Sequence, residues 1–156
     1  MSEKSSSSYH NEVLSQLKEE LDKVERQKQL SVHCRKVLEL LLRKEKPMSA
    51  YEILDVLRDH GLRAPPTVYR ALEYLTKNGF VHRIESLNAF AACRNHVSHE
   101  GSCQFAVCSS CGAVEEICDE AVSASLHNAK QKLLKQVDCA TLEISGICFS
   151  CYDKVG

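Results

Sequence analysis

Apolar residues recur at helical spacing in four segments of the N-terminal half of the chain. The first segment carries a stripe at spacings of 3, 4 and 3, made of Leu14, Leu17, Leu21 and Val24. A second helix is predicted after the capping residue Ser31, with Cys34 as a small core residue on its apolar side. A third opens on the capping box Ser49-Ala50-Tyr51-Glu52, and Gly61 is placed to close it.

The fourth helix, for which Thr67 is the expected cap, has two contrasting faces. At about 100° per residue, the apolar face lies within about 60° of Val68, and it consists of Val68, Ala71, Leu72 and Leu75. Tyr69, Arg70 and Lys77 are left to point outward. This arrangement is typical of a recognition helix, in which arginine pairs with guanine and tyrosine reaches a thymine methyl group or a phosphate. A helical bundle with a solvated charged face is the alternative interpretation.

Two strands follow this helix, at Phe80 to Glu85 and at Ala89 to Cys93, with a turn at Leu87-Asn88. Three helices and a hairpin predict a winged helix. Beyond the hairpin, three strands are predicted around residues 104–107, 113–117 and 140–145. A helix beginning at Asp119 separates the last two, and its stripe is Val122, Leu126, Ala129 and Leu133.

The predicted fold class is therefore α+β, with a winged-helix DNA-binding domain before a small α/β domain. We expect a disordered Ser-rich tail over residues 1–8, the winged helix over 9–86, a hinge over 87–92 and the second domain over 93–156. Apolar residues form 44% of the chain and charged residues 26%, which excludes a mostly disordered protein. Neither a membrane-length apolar run nor a secretory pattern occurs, so a cytoplasmic protein is expected.

Charge is spread unevenly although the chain as a whole carries a net charge of −1. Residues 31–86 hold 10 basic and 7 acidic side chains, whereas residues 87–156 hold 5 basic and 8 acidic ones. The middle third is thus the candidate surface for a polyanion.

Nine cysteines are present, and eight of them lie between Cys93 and Cys151. Four form two CxxC knuckles, Cys108-Ser-Ser-Cys111 and Cys148-Phe-Ser-Cys151. In a reducing compartment, two such knuckles predict one structural zinc ion held by four thiolates. A redox switch based on CxxC disulfides is the competing interpretation.

Several motifs occur in a fixed order: Pro66-Thr67-Val68-Tyr69-Arg70-Ala71-Leu72, Gly79-Phe80-Val81-His82, Cys108-x-x-Cys111-Gly112 and Gly146-x-Cys148-x-x-Cys151. Over about residues 12 to 151, the chain resembles the ferric uptake regulator family, and within it the zinc uptake regulator branch. The resemblance implies a homodimer with a C-terminal dimerisation domain. It also implies a structural zinc site at the knuckles and a second, regulatory metal site.

His82, Cys93 and Glu116 match regulatory ligand positions of the zinc branch. For the fourth ligand, His96, His99 and Cys103 compete, and His99 is preferred because its spacing lets it turn back toward Cys93. A thiolate in this set favours zinc over ferrous iron or manganese.

The resemblance adds Tyr51 as a second candidate DNA contact. The predicted DNA-binding set is Tyr51, Thr67, Tyr69, Arg70 and Lys77. Together these features predict a zinc-responsive repressor of zinc-uptake genes that binds operator DNA as a dimer with two zinc ions per protomer. Neither an enzyme nor a small-molecule substrate is expected. The alternatives are an iron- or peroxide-responsive repressor of the same family and a thiol-based redox sensor. No firm role is assigned to Cys103, Cys118 or Cys139.

Overall fold

The computed structural model describes residues 15, 30–44, 46–93, 102–117, 119–135 and 140–154. These residues form two compact units. The first runs to His82 and resumes at Phe90, and the second contains Arg83–Ala89 and the described residues from 102 onward. The predicted tail, the helix stripe from Leu14 to Val24, and His96, His99, Cys118 and Cys139 lie outside the described residues. In the described ranges, no helix is long and apolar enough to cross a membrane.

Within residues 30–93, three helices build the first unit: α1 (Val32–Arg43), α2 (Ala50–Leu57) and α3 (Pro65–Lys77). Ser31 caps α1, because its side chain accepts a hydrogen bond from the Cys34 N–H. Ser49 and Glu52 form the predicted capping box at the start of α2. A 3₁₀ turn at Arg58–His60 follows, and Gly61 ends it at a φ of 98°. Local sequence chemistry therefore sets the beginning of the first two helices.

The expectation that Thr67 caps α3 is wrong. Helix α3 begins at Pro65, after Ala64, and Ala64 supplies no side-chain cap. Proline has a helical φ and no N–H to satisfy, so it fits the first turn of a helix. The two prolines therefore move the start of the helix ahead of Thr67, whose own N–H donates to the Ala64 carbonyl at 3.0 Å.

Buried faces of all three helices meet in one core. Every apolar position predicted for α3 is buried, as is Cys34, which lies close to the Ala71 carbonyl. The largest fully buried side chains of this unit include Ile53, Leu62, Leu72 and Leu75. The outward face of α3 is thus fixed by the burial of the opposite face.

The predicted hairpin is present, with β1 (Val81–Ile84) pairing with β2 (Ala89–Ala92). A 3₁₀ turn at Glu85–Leu87 joins the strands, and Asn88 adopts a left-handed conformation with a φ of 47°. Asparagine is one of the few residues that tolerate this conformation. Strand β2 is held to the first unit at Met48. The Phe90 N–H donates to the Met48 carbonyl at 2.8 Å, and the Met48 N–H donates to the Phe90 carbonyl at 3.0 Å.

The second unit is built on a three-stranded sheet in the order β4-β3-β5. Its elements are β3 (Ser102–Cys108), β4 (Val114–Ile117), the helix α4 (Glu120–Leu133), β5 (Ala140–Gly146) and the short helix α5 (Phe149–Tyr152). Strand β3 pairs antiparallel with β4 and parallel with β5. Helix α4 provides the crossover that a parallel pair requires. Asp119 caps α4, and the buried Gln104 amide donates to the Asp119 carbonyl and to Ser123 Oγ.

The core of the first unit can be tested at Leu75, which is fully buried on α3. Leu75→Ala should lower the free energy of unfolding by about 2–5 kcal/mol, because it removes buried surface and leaves a cavity. Urea unfolding followed by circular dichroism measures this change. Val56→Ala, on the exposed side of α2, is the matched control and should cost less than about 1 kcal/mol. Equal effects of the two substitutions would contradict the assigned core.

Candidate metal centre and nucleic-acid interface

The two CxxC knuckles meet because of strand register. Strands β3 and β5 run parallel, and their last residues, Cys108 and Gly146, lie opposite each other. The segments that follow β3 and β5 therefore leave the sheet at the same edge. The Ser109 N–H and hydroxyl donate to the Gly146 carbonyl at 2.8 and 3.0 Å, which ties the first knuckle to the end of β5.

Tight turns shape both knuckles. In the first, the Gly112 N–H donates to the Cys108 carbonyl at 2.9 Å, and Gly112 has a φ of 69° that favours glycine. In the second, the Cys151 N–H donates to the Cys148 carbonyl at 3.0 Å as α5 begins. Each turn folds its second cysteine back toward the first, as a shared metal ligand pair requires.

The sulfur atoms fit a tetrahedral zinc ion. All four Sγ atoms of Cys108, Cys111, Cys148 and Cys151 lie within 4.8 Å of one another. The Cys111 and Cys148 sulfurs are 3.9 Å apart. Zinc–sulfur bonds of about 2.3 Å in a tetrahedron place sulfur atoms about 3.8 Å apart, so this spacing needs little adjustment.

Backbone N–H groups lower the pKa of one thiol of this cluster. The Cys148 N–H donates to Cys108 Sγ at 3.3 Å. This bond, with those from Cys111 and Ser110, lowers the pKa of Cys108 to about 6. At Cys148, the Cys151 N–H lowers the pKa, but the neighbouring thiols and burial outweigh it and raise the pKa to about 11. Crowded thiols cannot all ionise without a cation, and a divalent metal would supply one.

Three of the predicted regulatory ligands lie on a strand or directly after one. His82 is half-buried on β1, and Glu116 is half-buried on β4. Cys93 follows β2, is 1% exposed, and donates its N–H to the Phe80 carbonyl at 2.9 Å. His96 and His99 lie outside the described residues.

Within the second unit, the structure brings one unassigned cysteine next to a predicted ligand. Cys103 on β3 is buried, and its Sγ lies within 4.8 Å of a Glu116 carboxylate oxygen. From the sequence alone, Cys103 is one of three candidates for the fourth ligand, and His99 is preferred. The missing signal was the register, because Phe105 pairs with Glu116 and Cys103 lies two residues earlier on the same face of β3.

The candidate DNA-binding residues lie on the two helices that follow α1. Tyr69 is 48% exposed, and Arg70 and Lys77 are exposed on α3. Tyr51 is 68% exposed in the first turn of α2. Thr67 is half-buried within the first turn of α3. The helical periodicity therefore predicts correctly which side chains of α3 face solvent.

Fold and site together define a winged-helix protein with a small α/β domain that carries a cluster of four cysteines able to hold a metal ion. The model of the ferric uptake regulator family matches residues 25–145. The chain belongs to the ferric uptake regulator family.

Known relatives with this fold include zinc uptake regulators. The chain is 36% identical to the zinc uptake regulation protein of Escherichia coli (strain K12) over 118 residues, which cover 75% of this chain and 69% of that protein. A solved zinc uptake regulator complexed with zinc and DNA superposes with a TM-score of 0.78 at 33% identity, covering 94% of this chain and 97% of that one. The crystal structure of holo XcZur gives a TM-score of 0.70 at 41% identity, covering 80% and 86%.

The four-thiolate centre can be tested by removing one ligand from each knuckle. Cys111→Ser and Cys148→Ser should each lower zinc content by at least one ion per protomer and unfold the second unit, since structural zinc binding is coupled to folding. Metal analysis of reduced protein and near-ultraviolet circular dichroism measure the two effects. Ser150→Ala, between the cysteines of the second knuckle, is the control. A folded Cys148→Ser variant with full zinc content would show that these thiols do not share an ion.

Proposed function

We propose that this protein is a zinc-responsive transcriptional repressor that binds operator DNA as a zinc-loaded homodimer and represses zinc-uptake genes. The main support is the four-cysteine centre, on a chain that is similar along most of its length to a zinc uptake regulator complexed with zinc and DNA. On this proposal the protein is a cytoplasmic regulator and not an enzyme. The winged helix predicted over residues 9–86 extends on this proposal through β2, whose Phe90 is buried in its core, and the dimerisation domain follows.

Helix α3 is the proposed recognition element. Burial of Val68, Leu72 and Leu75 leaves Tyr69 and Arg70 exposed near the N-terminal end of the helix. A guanidinium in that place can donate two hydrogen bonds to guanine O6 and N7. Lys77 lies at the other end of the helix, where an ammonium group suits a phosphate. Tyr51 and Thr67 complete the proposed contact set.

Two zinc ions per protomer are proposed, one structural and one regulatory. Cys108, Cys111, Cys148 and Cys151 would hold the structural ion, which stabilises a unit with a small core. His82, Cys93 and Glu116 would hold the regulatory ion, together with His96, His99 or Cys103. The short separation between Cys103 and Glu116 favours Cys103 as the fourth ligand. Two thiolates would make the set softer and would further favour zinc over ferrous iron.

The regulatory ligands belong to segments of both units, and this distribution supports a coupling between zinc and DNA. His82 and Cys93 belong to the first unit, and Glu116 and Cys103 to the second. Ligands that share one ion lose relative freedom, so the dimer would keep fewer orientations of its winged helices. If the retained orientation fits two operator half-sites, zinc raises DNA affinity by population shift.

The DNA-binding assignment is tested at Arg70. Arg70→Ala should weaken binding to the specific operator by about 1–3 kcal/mol and relax base preference, because a bidentate base contact is lost. Fluorescence anisotropy with specific and random duplexes, with zinc titrated against a chelator, measures both effects. Lys77→Ala is the comparison variant and should weaken binding to all sequences alike while lowering the salt dependence. Zinc-independent binding by the wild type, or equal affinity for both duplexes, would contradict the proposed function.

The regulatory ligands are tested by a set of single substitutions. His82→Ala and Cys93→Ser should leave a folded dimer that keeps its structural zinc but has lost zinc-stimulated DNA binding. Cys103→Ala, His96→Ala and His99→Ala decide the fourth ligand, because only substitution of the true ligand should weaken zinc binding at the exchangeable site. Competition with a chromophoric chelator measures that affinity. His127→Ala removes an exposed imidazole from α4 and serves as the control. A His82→Ala variant that responds fully to zinc would place the sensor elsewhere.

A further inference from the structure

One carboxylate of the second unit holds the turn of the hairpin. Glu143 lies on β5, and its Oε1 accepts a hydrogen bond from the Glu85 N–H at 2.7 Å. Its Oε2 accepts a second from the Ser86 N–H at 3.1 Å. The turn between β1 and β2 is thereby joined to a strand almost 60 residues further along the chain, and both segments belong to the second unit.

The charge on Glu143 suits this contact. Burial raises the pKa of its carboxyl, but the hydrogen bonds from Ser86 and Glu85 outweigh burial and the pKa is lowered. The turn is also braced from within, since Arg83 pairs with the Glu85 carboxylate at 3.3 Å and donates to Asn88 Oδ1 at 3.2 Å. The Glu85 carboxylate thus has its own cationic partner, and the turn presents two backbone N–H groups and the Ser86 side chain to Glu143.

Strand register gives Glu143 and Glu116 a common direction. Phe105 on β3 pairs with Glu116 on one side and with Glu143 on the other. Directly paired residues project from the same face of a sheet. The phenyl ring of Phe105, 2% exposed, therefore stands between two carboxylates, one proposed to bind zinc and the other bound to the hairpin turn.

We propose that Glu143 is a positioning residue for the zinc response. It fixes the hairpin whose first strand carries His82 and whose second strand leads into Cys93, and so orders these two ligands before metal arrives. Ordering a ligand-bearing segment in advance removes an entropic cost from binding. This inference rests on the proposed regulatory site and adds a residue that contacts neither metal nor DNA.

The experiment compares Glu143→Ala and Glu143→Gln with wild type in the full chain loaded with structural zinc. Amide hydrogen exchange at Glu85 and Ser86 reports the contact itself, and chelator competition reports zinc affinity at the exchangeable site. Glu143→Ala should speed exchange at both amides by about 10-fold or more. It should also weaken exchangeable zinc by about 10-fold, as loss of a residue that orients metal ligands typically does. Glu143→Gln keeps a neutral acceptor and should recover part of both losses.

A matched control separates this role from general loss of structure. Glu115→Ala removes an exposed carboxylate from the neighbouring strand β4, opposite Ala106 on the other face of the sheet, and should change neither readout. Structural zinc content and dimer mass should stay at wild-type values in every variant. Unchanged zinc affinity in Glu143→Ala, or unchanged amide exchange there, would overturn the proposal. Zinc-independent DNA binding by wild type would instead overturn the proposed function. Amide exchange and zinc affinity would still test the positioning role of Glu143.

Discussion

Parallel pairing of β3 with β5 is the constraint on which the second unit depends. It places Cys108 opposite Gly146, so knuckles that are 36 residues apart in sequence emerge at one edge of the sheet. Strand β3 also supplies most of the buried residues described in this unit, namely Cys103, Gln104, Phe105, Val107 and Cys108. Few of the residues described in this unit are buried, so a metal bound by the four thiolates would stabilise it. A small domain of this kind gains from a metal what a larger one gains from its core.

The helices of the first unit were predictable because their signals are local. A serine cap, a capping box and an apolar stripe each act over three or four residues, and Ser31, Ser49 and the buried side of α3 behaved as expected. Thr67 failed as a cap because two local signals competed and the prolines prevailed. The stripe of α4 was less informative, since Val122 and Leu126 are half-buried and Ala129 is exposed. A periodic apolar pattern predicts a helix, but it does not predict how much of the apolar face is buried within one protomer.

In the candidate metal sites, too, features set by nearby residues are visible in the sequence, whereas features set by strand pairing are not. Each CxxC knuckle is visible in sequence because its ligand spacing is itself the chemical requirement. Spacing along the chain favours His99 as the fourth ligand, whereas strand register places Cys103 on the same face of the sheet as Glu116. Glu143 gave no sequence signal, because an isolated acidic residue on a strand resembles any solvated one. Its partners are two backbone amides and a serine side chain that lie far away in sequence.

The placement of Phe90 limits how the protein can be divided. The first unit leaves the chain after His82 and returns at Phe90, which is buried in the same core as the three helices. A fragment ending within the turn at Glu85–Leu87 would lose β2, the Met48–Phe90 bridge and an aromatic side chain of that core. The two units are therefore not separate modules joined end to end. Recombination between relatives can exchange the winged helix intact only if the crossover point falls beyond the hairpin.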